Sequence, residues 1–220
     1  IRDRSPSRGL GDVYKRQGYG DVGVYNANSK IPTPNMDALA AEGMRFTDAH
    51  TASAVCSPTR YSVLTGRHAW RGRLKKQTVH YFEEPLIETD RLTVGEMLQN
   101  AGYATAAIGK WHLGLNVLNN SGTGFVRHGK GVNVDYSLPV QGGPIDYGFD
   151  YYFGKHTGPV NAFIENDQYV GTPVLGFLME VPGWDEAQKG PIQLNKALDW
   201  IEAHHQQNVS TGTDQPFFMY

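Results

Sequence analysis

Thr93-Val94-Gly95-Glu96-Met97-Leu98-Gln99-Asn100-Ala101-Gly102-Tyr103-Ala104-Thr105-Ala106-Ala107-Ile108 decides the fold class. Thr93 with Glu96 three residues later is a capping box, in which each side chain satisfies a backbone N–H of the first turn. Val94, Met97, Leu98 and Ala101 recur at i, i+3, i+4 and i+7, the spacing of an amphipathic helix, and Gly102 closes it. Tyr103 to Ile108 is apolar or small on both faces, which suits a strand buried in a parallel sheet. A helix leading straight into such a strand, repeated along a chain, argues an α/β fold with a mostly parallel central sheet flanked by helices.

The segment before it follows the same logic. Thr33-Pro34-Asn35-Met36 opens a helix, with Thr33 as cap and Pro34 in the first position. Met36, Leu39 and Ala40 make its apolar face, Gly43 ends it, and Met44 to Ala49 reads as a short strand. His50 to Val55 is then a loop delivering Cys56, the single cysteine. Ser57 suits an N-cap, Pro58 the first helical position, and Gly66 a left-handed closure. Cys56 is thus expected just outside a helix N-terminus, where backbone N–H groups and the macrodipole favour an anion. Arg60, on the first turn, leans back toward the same end.

After Ile108 comes Gly109-Lys110-Trp111-His112-Leu113-Gly114. Open α/β sheets hold their ligands at the carboxyl ends of strands. In an extended chain Lys110 and His112 project to one face. A cation and an imidazole aimed together suit an anionic oxygen and a proton transfer. Arg67 to Arg91 is a polar connection with two cationic clusters, Arg71-Gly72-Arg73 and Lys75-Lys76, read either as solvated surface or as a rim contact to an anionic substrate. Asn116 to Pro144 reads as loop. The aromatics of Asp146 to Gly154 read as core, and His156 as a substrate contact or a surface histidine. Pro191 to His205 reads as the last helix, with Leu194, Ala197, Leu198 and Ile201 as its stripe, and Pro216 to Tyr220 as the start of a buried strand.

The 220 residues carry a net charge of −2, which makes no electrostatic case for nucleic acid or a membrane surface. One cysteine excludes an internal disulfide and a multi-cysteine zinc site. No apolar run is long enough to be a membrane segment.

Ala54-Val55-Cys56-Ser57-Pro58-Thr59-Arg60 with Val63-Leu64-Thr65-Gly66 resembles the signature of the formylglycine-dependent sulfatases. The run Gly102 to His112 resembles their second signature, and Gly148-Phe149-Asp150 to Gly154 a later segment. The resemblance spans Gly18 to Tyr220 and implies an alkaline-phosphatase-like catalytic domain, incomplete at both ends. It implies a sulfuric ester hydrolase in which a formylglycine-generating enzyme oxidises Cys56. The hydrate supplies one hydroxyl to attack sulfur and a second whose deprotonation releases sulfate. Arg60 would hold the hydrate, Lys110 would bind sulfate oxygens, His112 would handle the proton, and His156 would contact the substrate. Formylglycine at Cys56 would also be a ligand of Ca²⁺, and family membership would place the protein outside the cell or in the periplasm.

Two adjacent aspartates of the family precede the Gly-Tyr-Gly-Asp segment, Gly18 to Asp21 here, but Lys15 and Arg16 occupy their slots. Residues 1–17 lack strand or helix patterning and read as a non-native or disordered arm, with the domain occupying 18–220. The downstream histidine, Asp-Asn pair and second lysine of the family have no counterpart before Tyr220. The 220-residue chain itself is therefore expected to have little or no activity. The alternatives are a phosphonate monoester hydrolase or phosphodiesterase of the same superfamily, or a non-catalytic truncated chain.

Overall fold

The computed structural model describes residues 19–158, 160–176 and 178–220. The arm at 1–17, with Lys15 and Arg16, lies outside the described residues. The chain divides into two compact units, one holding 19–62 and 67–78, the other 63–66 and 79–220.

The second unit is built on the capping box. Helix α3 (Val94–Asn100) begins after Thr93, whose hydroxyl accepts from Glu96 N at 3.1 Å, while Glu96 Oε2 accepts from Thr93 N at 2.8 Å. The same hydroxyl donates to Tyr147 O at 2.7 Å, tying the helix start to a distant turn. That turn needs its glycine. Gly148 has φ +84°, and a Cβ there would lie 2.1 Å from Glu96 N.

Strand β1 (Ala104–Lys110) follows and is the centre of the sheet. It pairs in parallel with β2 (Tyr151–Lys155) on one side and with β8 (Phe217–Met219) on the other. Beyond β2 an antiparallel hairpin of β4 (Ile164–Glu165) and β5 (Gln168–Tyr169) closes the order β5-β4-β2-β1-β8. A second, small sheet runs β3 (Val160–Asn161), β7 (Met179–Glu180), β6 (Val174–Leu175). The sheet is thus mixed, with a parallel core.

The expected strand at 103–108 exists and runs two residues further, to Lys110. Strand β2 was hidden inside an aromatic run read only as core. Tyr147, Phe149, Tyr152 and Phe153 are indeed buried, and Phe149 faces Phe218 at 6.3 Å between ring centroids. Gly109 and Gly154 are register partners, and a Cβ on Gly154 would fall 1.7 Å from Gly109 O. Only glycine allows β1 and β2 to approach this closely. At the strand entrances, Asp150 Oδ2 accepts from Thr105 N at 2.8 Å and Thr105 Oγ1 at 2.9 Å.

Helix α4 (Lys189–Thr211) is longer at both ends than the expected 191–205. It covers the sheet with a partly polar face rather than with the anticipated stripe. Lys196 donates to Glu165 at 2.7 Å, Trp200 meets Phe217 edge-on at 5.7 Å, and His204 Nε2 donates to Gln215 O at 2.8 Å. Leu194 and Leu198 are exposed, and Ile201 is half-buried. No helix among the described residues is long and apolar enough to cross a membrane.

In the first unit, helix α1 (Pro34–Glu42) starts at its proline and stops before Gly43 as expected, but Thr33 makes no side-chain capping bond: its hydroxyl donates to Asp37 Oδ2 at 3.1 Å instead. Thr33 and Asp37 hold the preceding turn: Gly23 N donates to Thr33 Oγ1 at 2.8 Å, and Val24 N to Asp37 Oδ1 at 2.7 Å. Two further expectations fail here. Met36 and Leu39 are exposed, and residues 44–49 form no strand. A strand exists only through a neighbour's backbone, and none pairs with 44–49 among the described residues. The stretch is held instead by Arg45 Nη1 donating to Val24 O (2.7 Å) and Tyr25 OH donating to Phe46 O (2.9 Å).

Candidate functional site

Cys56 is the first residue of helix α2 (Cys56–Thr65), two positions further in than the cap pattern suggests: Val55, not Ser57, is the capping position. The helix opens on the Val55 carbonyl, which accepts from Thr59 N at 3.3 Å. Pro58 then falls in the third position, still within the first turn, whose N–H groups have no helical partner to lose. Thr59 Oγ1 donates to Ser53 O at 2.7 Å and fixes the entering loop. Gly66, at φ +65°, closes the helix as expected. Cys56 is half-exposed, Ser57 fully buried and Arg60 buried. Cys56 and Arg60 are i, i+4 neighbours, so their side chains share one face of the opening turns. The Cys56 and Arg60 half of the reading is therefore a local property of one helix.

Lys110, His112 and His156 form a second group, at the carboxyl ends of β1 and β2. Lys110 and Lys155 are register partners, and Trp111 N donates to Lys155 O at 3.1 Å. His112 and His156 therefore leave adjacent strand ends. Their rings meet edge-on, with centroids 6.5 Å apart. His112 does not continue the strand. Its φ is +57°, so the chain turns left-handed and the simple alternation with Lys110 breaks. The turn buries the ring and brings Nε2 to 2.9 Å from Val79 O.

His156 is buried as well, which removes the surface-histidine reading. Its Nε2 lies 3.0 Å from Tyr81 O, and its Nδ1 has no hydrogen-bond partner among the described residues. A carbonyl oxygen only accepts, so both rings carry their proton on Nε2 and Nδ1 is the basic nitrogen of each. Burial, reinforced by His112 alongside, pushes the His156 imidazole down to about 3, so it is neutral at neutral pH.

Lys155 is the residue that the sequence did not single out. Burial lowers its pKa, with Glu186 opposing and Lys189 and Lys110 reinforcing. Its ammonium donates to Asn161 Oδ1 and lies 5.3 Å from the Trp184 ring centroid. The pairing of β2 with β1 was the missing signal, because it sets Lys155 beside Lys110.

The mixed sheet with its parallel core makes this an α/β fold, and its solved neighbours make it alkaline-phosphatase-like. A solved sulfatase structure from Bacteroides thetaiotaomicron glycosaminoglycan metabolism superimposes with a TM-score of 0.69 at 26% identity, covering 92% of this chain and 48% of its own. The PsFucS1 sulfatase of Pseudoalteromonas shares the fold at 22% identity and a TM-score of 0.57, over 92% of this chain and 40% of its own. The chain belongs to the Sulfatase family, whose model matches residues 10–220. An N-acetylgalactosamine-6-O-sulfatase of B. thetaiotaomicron is 30% identical over 92% of this chain and 45% of its own length. Arylsulfatase G of Rattus norvegicus is 43% identical over 62% of this chain and 21% of its own. The chain spans less than half the length of these curated relatives.

Proposed function

We propose that this protein hydrolyses sulfate esters, with Cys56 as the residue converted to formylglycine by a dedicated generating enzyme. The observation that carries the reading is the Cys56-x-Pro58-x-Arg60 motif at the opening of a helix, in a chain that matches the Sulfatase family along nearly all its length. The half-exposed Cys56 is compatible with oxidation by a separate enzyme. Formylglycine, once formed, supplies a hydrated aldehyde in place of a thiolate that sulfate would repel.

The chain's own side chains take the remaining roles. Arg60 places a permanent positive charge on the helix face of Cys56, where negative charge develops. Lys110 binds sulfate oxygens as a point charge. His112 moves a proton at Nδ1, because its Nε2–H is committed to Val79 O. His156, read from sequence as a substrate contact, fits a positioning role better, being neutral, held by Tyr81 and set edge-on against His112. Ca²⁺ is the ion that the family implies. Among the described residues no three His, Cys, Asp or Glu side chains group to hold one, so these residues do not make that site. A secreted or periplasmic location goes with the family assignment.

The test is co-expression with a formylglycine-generating enzyme and peptide mass spectrometry across Cys56, where the lighter aldehyde residue is expected. The product of the reading frame that carries these residues should then release sulfate from an aryl sulfate. Cys56→Ala should abolish turnover, and Arg60→Ala should lower it on the order of 10²-fold or more. An unmodified thiol in a competent host overturns the reading, and so does turnover of a phosphonate or phosphodiester well above that of the sulfate ester.

A further inference from the structure

Residues Arg67 to Lys76 carry a feature that the chemistry above does not use. Between Ala49 and Phe82 there are six Lys or Arg residues and no Asp or Glu, in a chain whose net charge is −2. Four of the six fall within Arg71-Gly72-Arg73-Leu74-Lys75-Lys76. At their head is a short 3₁₀ turn, Ala69–Arg71, that presents Trp70 outward with 59% of its surface exposed. A single exposed aromatic is ordinary on a protein surface; what sets Trp70 apart is its place at the head of a cationic turn.

The turn is built to hold its side chains still. Ala69 is buried and anchors it. Arg71 N donates to His68 O and Gly72 N to Ala69 O, both at 3.0 Å. Arg67 Nη2 donates to Arg71 O and Lys75 Nζ to Trp70 O, both at 2.9 Å. The His68 ring stacks on the indole at 5.6 Å with an 18° interplanar angle, and the Arg71 guanidinium lies over the Trp70 ring, 6.0 Å from its centroid. The result is a stacked His68–Trp70 pair with the Arg71 guanidinium over the indole, the Lys75 ammonium on the Trp70 carbonyl, and more than half of Trp70 still exposed.

We propose that this turn is a binding subsite for a polyanionic saccharide, with Trp70 covering the C–H face of one sugar ring and Arg71 and Lys75 engaging a sulfate on that or the adjoining ring. An indole stacks on the apolar face of a pyranose, whereas a simple inorganic anion has no use for it. A single platform also disfavours single-stranded nucleic acid, whose binding sites offer aromatic side chains to successive bases. The subsite would select a sulfated chain over an isolated sulfate ester. The proposal rests on the sulfatase reading for its choice of sugar, but binding here needs no turnover.

The experiment is calorimetric titration of the 220-residue chain carrying Cys56→Ala with a sulfated chondroitin tetrasaccharide, its desulfated counterpart and a single-stranded oligonucleotide of equal charge. The sulfated sugar should bind at least about tenfold more tightly than either of the others. Trp70→Ala should weaken it about tenfold at all salt concentrations, while Arg71→Ala with Lys75→Ala should weaken it chiefly at low salt. Lys130→Ala, an exposed cation of the other unit, should change nothing. Circular dichroism checks that each variant is folded; Trp70→Phe, which keeps a ring, should retain most of the binding. Equal binding of the desulfated sugar, equal binding of the oligonucleotide, or indifference to Trp70→Ala in a folded chain overturns the proposal. Because Cys56 is absent from this assay, failure here leaves the formylglycine reading standing, and failure of Cys56 conversion leaves this one standing.

Discussion

Residues 93–110 and residues 33–49 carry nearly the same sequence grammar, a capped helix followed by an apolar segment, yet they end differently. In 93–110 the helix forms, the strand forms, and the strand becomes the centre of a five-stranded sheet. In 33–49 the helix forms and no strand follows; exposure does not separate the two, since Met97 and Ala101 of the expected stripe in 93–110 face outward as Met36 and Leu39 do. The two helices begin where expected because their start signals, a capping box in one and a first-position proline in the other, act locally. The strands differ because a strand is a relationship. β1 finds β2 and β8 in the described chain, whereas 44–49 finds no such neighbour. Local chemistry sets where elements start; partners set whether they persist.

The comparison can be broken most decisively at Gly154. A side chain there would collide with the Gly109 carbonyl, a backbone atom that cannot swing aside. Gly154→Val should cost more than about 4 kcal/mol, enough to prevent cooperative unfolding in urea from being seen at all. A normal urea midpoint would mean that β1 and β2 are not in the contact described.

The next effect is pH-dependent. His156 is held neutral by burial, and its folded pKa of about 3 lies below the unfolded value near 6.5. Between those values the unfolded chain binds the extra proton, so stability is complete above about 6.5 and falls as the pH drops toward about 3. The slope contributed is up to about 1.4 kcal/mol per pH unit. His156→Gln should flatten the urea midpoint across that window, with His112 and Lys110 nearby left in place. An unchanged pH profile would place His156 in water.

Thr93→Ala removes both the helix cap and the donor to the buried Tyr147 carbonyl, and should cost roughly 2–3 kcal/mol in chemical denaturation. The smallest effect belongs to the other region. Leu39→Ser should change stability by no more than about 0.5 kcal/mol, because Leu39 is 72% exposed. A loss above about 2 kcal/mol would show that α1 packs its apolar face after all.

Much of the fold could be read from residues alone. Thr93 with Glu96, Pro34, and the glycines at 43, 66 and 102 fixed helix ends because each acts on its own turn. The parallel environment of Tyr103 to Ile108 followed from its two-sided apolar character. Strand β2 escaped notice because Tyr151-Tyr152-Phe153 is dense in aromatics without alternation, so burial masked the extended backbone. The conformation of His112 was invisible for another reason. Its left-handed φ accompanies a hydrogen bond to Val79 O, a partner far away in sequence, and a period-two rule assumes a strand that simply continues. Lys155 gained meaning only through register. At Cys56 the motif was legible and its helical position was off by two residues, since proline is tolerated anywhere in the first turn, where no helical N–H bond is lost.

The carbonyls of Val79 and Tyr81 hold His112 and His156, one each, from the same short segment. The two imidazoles therefore share a single mechanical support. A shift of residues 79–81 would release both protons' anchors together, and damage at one ring would alter the footing of the other. Substitutions at His112 and His156 should then be strongly non-additive in a double-mutant cycle, the second costing far less than it does alone. Two residues from separate strand ends would behave, energetically, as one component.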